Sequence, residues 1–162
     1  TTGGKMSNSD FFHAGSVLYA VGDYRGAIQN FEKMGQLRDS LFQIASYQKA
    51  YSYIKIKNKV KAMESFKDAS LLSFDENIEE DAMFNYAKLS FDLNGDETAF
   101  NAYISKYGTS KKGELIYDYL AMSALLKRDY ERAVLAYDQI EELSADQKSN
   151  YIKANFLRAK KL

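Results

Sequence analysis

His13 is the one imidazole in the chain, and no cysteine accompanies it. Nucleophilic catalysis through a histidine needs a supporting serine or cysteine context, and a Cys/His zinc site needs three or four nitrogen or sulfur ligands. His13 therefore reads as an exposed or partly packed side chain on the first helix, and structural zinc is excluded. The acidic run Asp75-Glu76-Asn77-Ile78-Glu79-Glu80-Asp81 offers the oxygen ligands that calcium prefers, but not the EF-hand spacing with its central glycine. It reads instead as carboxylates crowding a helix N-terminus, where the macrodipole favours them. Thr1-Thr2-Gly3-Gly4-Lys5 has no preceding strand and no four-residue gap between glycines, so it fails as a phosphate loop and reads as a flexible end. Lys55, Lys57, Lys59 and Lys61 could attract an acidic partner, yet Glu64 and Asp68 follow at helical spacing, as on a solvated face. Asp118, Tyr119 and Lys88 could line a polar pocket for a small ligand, but no spacing requires it. These residues imply no metal, no cofactor and no enzyme.

The elements that would position such groups follow from composition and period. The 162 residues suit one compact domain or one short repeat array, and 46% apolar residues are enough to fold. Twenty-two basic and 22 acidic residues cancel, so no global field favours nucleic acid or anionic lipid. No apolar run approaches the length of a membrane span, and no hydrophobic signal core opens the chain. The start at Thr1 rather than Met predicts an upstream segment, which leaves the compartment open.

Proline is absent, which leaves long stretches free to be helical, and apolar residues recur at three- and four-residue steps, as in Phe12, Gly15, Leu18, Tyr19. The alternation Ile54 to Lys61 mimics a strand, but it would have no partner, and Asn58 can close one helix and cap the next. One repeat emerges. A small residue is followed twelve later by a second small residue and four later by an aromatic: Gly15, Ala27, Phe31; Ala50, Ala62, Phe66; Ala87, Ala99, Tyr103; Ala121, Ala133, Tyr137. The second small residue steps by 35, 37 and 34 residues, and the longest step absorbs the acidic loop around Asp75. Small residues let two antiparallel helices cross closely, while the aromatic fills the gap toward the neighbouring pair. Gly22-Asp23, Asn58, Gly95-Asp96 and Asp129 punctuate the pairs, as ends of one helix and caps of the next. Asp96 stands one residue closer to its alanine than the others, so the third turn is expected to differ.

The pattern resembles the tetratricopeptide repeat (TPR), most clearly in Gly22-Asp23-Tyr24-Arg25-Gly26-Ala27-Ile28 with Phe31 and in Asp129-Tyr130-Glu131-Arg132-Ala133-Val134 with Tyr137. It departs from the family in lacking tryptophan and the closing proline, and in placing Lys57 and Arg128 where glycine separates the helices. Glu80 to Lys106, with its acidic lead-in and Asn-Gly-Asp, is similar to TPR arrays of bacterial cell-envelope proteins. The resemblance implies an all-α, right-handed superhelical solenoid of antiparallel helix pairs. A flexible end at 1–9 precedes four pairs at about 10–36, 37–73, 76–109 and 111–143. A C-terminal helix at 144–162 is then a cap or a truncated repeat, with truncation favoured.

The resemblance also places the first helix of each pair along a concave groove. That puts Phe12, Ser16, Tyr19, Tyr47, Tyr51, Ile54, Phe84, Lys88, Phe91, Asp118, Met122 and Leu125 on it. Thirteen Tyr and ten Phe exceed what the helix crossings need, and such rings make good interface anchors, although each could instead be buried between repeats. The basic groove residues with which some TPR domains clamp a peptide carboxylate have only Lys88 as a candidate here, so chaperone-tail binding of that kind is not expected. The expectation is a non-catalytic scaffold that binds a peptide or partner protein through the groove, with self-association through the terminal helices as a second route. It is also read as a segment of a larger envelope assembly protein, slightly favouring the periplasmic side. The alternative is a helical small-ligand carrier or enzyme.

Overall fold

The computed structural model describes residues 4–108 and 110–161. Among them are nine α-helices and no strand, so the chain is all-α. They are α1 Asn8–Ala20, α2 Tyr24–Glu32, α3 Ser40–Lys55, α4 Lys59–Ser70, α5 Glu76–Asn94, α6 Thr98–Tyr107, α7 Lys111–Leu126, α8 Tyr130–Tyr137 and α9 Ala145–Lys161. The alternating stretch from Ile54 to Lys61 ends α3 and begins α4 rather than forming a strand. None of the described helices is long and apolar enough to cross a membrane. The expected flexible end falls in part on residues 1–3, which lie outside the described residues, as do the expected segment ends at 109 and 162. α1 begins two residues before the expected first pair. Ser7 accepts from the Asp10 amide while the Asp10 carboxylate accepts from Ser7, a reciprocal cap.

Three turns between helices share one hydrogen-bond scheme. Gly22, Lys57 and Arg128 each adopt a left-handed backbone, at φ of 85°, 65° and 58°. The amide after each reaches back to a helix carbonyl over the same distance, 2.8 Å, from Asp23 to Leu18, Asn58 to Tyr53 and Asp129 to Ala124. The same Asp or Asn then caps the following helix by accepting from the amide three residues on, at Gly26, Lys61 and Arg132. Lys57 and Arg128 thus hold a geometry that glycine takes without strain. The Gly95 turn differs, as expected from Asp96. Gly95 donates to Phe91, and Asp96 accepts from Thr98, only two residues on.

The chain divides into two compact units, Thr1–Ala99 and Phe100–Leu162. In the first, each of α1 to α4 packs on its successor, and α1 also meets α3 as α3 meets α5. A Cβ on Gly15 would lie 2.5 Å from the Phe31 ring, so glycine is what lets α1 and α2 cross there. Phe12, Phe31, Met34 and Ala45 form one core cluster; Ala50, Tyr53, Phe66 and Leu89 belong to another. Gln43 on α3 is fully buried and grips the turn before α5. Its amide nitrogen donates to the Leu72 and Asp75 carbonyls at 2.5 and 3.2 Å, and its oxygen accepts from the Asp75 amide at 2.9 Å. In the second unit, α7 packs on α8 and α8 on α9, around Ala124, Ala133, Val134 and Ala154. All four sets of small, small and aromatic residues read from the sequence are buried.

Candidate functional site

Of the expected groove residues in the first unit, Phe12 is a core side chain, 9% exposed. Tyr19 is half-buried, meets the edge of Tyr24 at 6.0 Å, and its phenol is pushed up by burial and then by Tyr24. Ser16 donates to Gln48 at 2.8 Å, tying α1 to α3. Ile54 packs against the core.

Tyr47 and Tyr51 are brought together one helical turn apart on α3. Their rings meet edge-on at 5.0 Å, and both rest on the buried Phe66 ring, at 6.1 and 5.1 Å. Both hydroxyls donate to the same oxygen of Asp81 on α5, each at 2.7 Å, and the Asn85 amide donates to that oxygen at 3.0 Å. Burial first, and then the bond to Asp81, raises both phenols, pushing Tyr47 well above the ordinary tyrosine range. Tyr53, on another face of α3, donates to Glu32 and is raised by burial and then by that carboxylate. Phe84, Lys88 and Phe91 are half-buried on α5, at helical spacing from Asp81. Asp81 and Asn85 were not among the expected groove residues. The step of 37 residues between the second and third repeats leads from Tyr47 and Tyr51 to Phe84 and Lys88, so the repeat did not signal Asp81 and Asn85, which stand three residues earlier on α5.

In the second unit, Asp118, Met122 and Leu125 all border an open trough between α7 and α9. One part, about 520 Å³, is bordered by Asp118, Met122, Asp146 and Asn150. The adjoining part, about 370 Å³, is bordered by Met122, Leu125, Leu126, Arg128 and Lys153. Met122 and Asn150 border both, and the thioether of Met122 lies 3.6 Å from the Tyr137 hydroxyl and from the Asn150 amide. Burial raises the Tyr137 phenol, Asn150 partly offsets this, and the Asp118 charge adds to it. The α9 side of the trough escaped sequence reasoning, because the apolar residues of α9 spread around its axis.

The remaining candidates take other roles. Tyr119 stacks on Phe100 at 5.7 Å, Asp118 borders the trough, and Lys88 lies in the first unit. His13 is exposed and meets the edge of Phe12 at 5.4 Å. Asp75 caps α5 through the amides of Asn77 and Ile78. Among the described residues, no group of three or more His, Cys, Asp or Glu could hold a metal ion. Lys55, Lys57, Lys59 and Lys61 are all exposed; Lys61 pairs with Glu64 at 3.0 Å, while Asp68 pairs with Arg38. No family model matches this chain, and no curated protein matches its sequence.

Proposed function

We propose that the chain is a non-catalytic binding module made of TPR-like helix pairs stacked as a right-handed solenoid, whose first helices line a groove for a peptide or partner protein. The observation that carries this reading is a repeat-length step in the bonding between first helices. Ser16 meets Gln48, Tyr47 meets Asp81 and Tyr51 meets Asn85, at separations of 32, 34 and 34 residues. Each separation is three residues short of the step between its two repeats, 35 and then 37, so the first helices of successive units meet at one constant offset, as in a stack of like units. The shared turn at Gly22, Lys57 and Arg128 supports the same reading. The face of α3 and α5 offers half-buried rings that lose little freedom on binding, and phenol oxygens that, having donated to Asp81, can accept from a peptide N–H.

The test is selection of a displayed random-peptide library on the chain, followed by affinity measurement for the enriched sequence. Phe84→Ala and Lys88→Ala should each weaken binding, the former by at least about tenfold, with far-UV circular dichroism unchanged. The rings of Tyr47 and Tyr51 support Phe66, so Tyr→Phe is the appropriate change there. A library that enriches nothing, or binding unaltered in both α5 variants, overturns the proposal.

A further inference from the structure

The trough in the second unit has a charge polarity of its own. Asp118 and Asp146 border one part, Arg128 and Lys153 the other, and the thioether and leucine side chains of Met122, Leu125 and Leu126 lie between or beside them. Among the described residues, no ion pair or hydrogen bond holds the side-chain charge of any of these four. The helix dipole accounts for Asp146 in the first turn of α9 and for Arg128 just past α7. It does not account for Asp118 or Lys153, which stand inside their helices, where the terminal field has faded.

We propose that this trough takes a short extended peptide segment with a cationic group at one end, apolar side chains in the middle and a carboxylate at the other. From Asp118 to Leu126 the helix rises about 12 Å, with Arg128 just beyond its end, a distance that an extended chain of about five residues covers. Oppositely charged ends fix such a segment in register and reject one whose ends carry the same charge, since like-charge juxtaposition is costly. The proposal rests on the reading of the chain as a binding module, but it uses residues of the second unit alone and none of the α3–α5 face, so each can fail separately.

Calorimetric titration of the full chain with four end-capped pentapeptides tests it: Lys-Leu-Phe-Leu-Glu, its reverse Glu-Leu-Phe-Leu-Lys, and the versions with Glu or Lys at both ends. One of the two mixed-charge peptides should bind at least about tenfold tighter than both like-charged ones. Asp118→Lys combined with Asp146→Lys should shift preference to the peptide with Glu at both ends, while Phe84→Ala leaves the ranking unchanged. Equal affinity for all four peptides, no saturable binding, or a ranking insensitive to the double charge reversal overturns the proposal. Loss of binding in Phe84→Ala also overturns it, by moving the contact to the α3–α5 face.

Discussion

The α3–α5 face of the first unit and the α7–α9 trough of the second both join alternate helices, yet they are finished in opposite ways. On α3 and α5, two phenols and an amide converge on one carboxylate oxygen above the Phe66 ring, and the polar groups satisfy each other. Between α7 and α9, a flexible methionine stands where large rings would close the gap, and charges at both ends lack partners among the described residues. The first arrangement commits its phenol donors to Asp81 and leaves those oxygens to act as acceptors. The second leaves room and charge for something else. Side-chain size and pairing at alternate-helix positions therefore decide what such a face can offer a partner: rings and acceptor oxygens on α3 and α5, space and opposite charges between α7 and α9.

The largest effect that could break this contrast concerns what lies beneath each face. Phe66→Ala removes a fully buried ring and should cost about 3–5 kcal/mol in urea unfolding, whereas Met122→Ala, at a position 43% exposed, should cost below about 1 kcal/mol. Comparable losses would show that the trough is as tightly packed as the aromatic face. Next come the carboxylates. Asp81→Ala strands two phenol donors and should cost about 1–3 kcal/mol, while Asp118→Ala should stay within about 0.5 kcal/mol.

A pH titration sharpens the same distinction. Burial and the bonds to Asp81 raise the Tyr47 and Tyr51 phenols. Above pH of about 10 the unfolded chain therefore loses those protons while the folded chain keeps them. The unfolded state then binds fewer protons, so stability is full below that pH and falls as pH rises. Tyr47→Phe should flatten the fall, followed by unfolding midpoints from pH 8 to about 11. The smallest effect tests whether the two units share their turns. Lys57→Gly and Arg128→Gly should each stabilise by about 0.5–1 kcal/mol, since both residues hold a positive φ. A gain at one position only would mean that the matching hydrogen bonds carry different strain.

Much of the local architecture could be read from the chain because its signals are short-ranged. Gly15, Ala62 and Phe66 announce close helix crossings through size alone, and all three are buried. Asn58 announces a cap through its chemistry, and the irregular spacing of Asp96 announces a different turn. The left-handed backbone at Lys57 and Arg128 was harder to read, because neither residue favours it and only the matching turn at Gly22 points there. The candidate site was legible only in part. Tyr47, Tyr51 and Met122 lie at telling helical positions, but whether a phenol meets Asp81 or open space depends on how α5 is set against α3. Phe12 shows the limit of spacing alone, since a ring at a groove-facing interval is here part of the core.

Gln43 shows how an irregular period can be tolerated. The segment between α4 and α5 lies within the longest of the repeat steps, and a longer connection left to itself would act as slack between neighbours. One amide plugged into three backbone groups of that connection turns slack into a spacer of set length. Uneven tiles can then be laid without losing alignment, provided that a side chain elsewhere gauges the added residues. Replacing that glutamine with an apolar residue of similar bulk would leave the helices standing and remove the gauge.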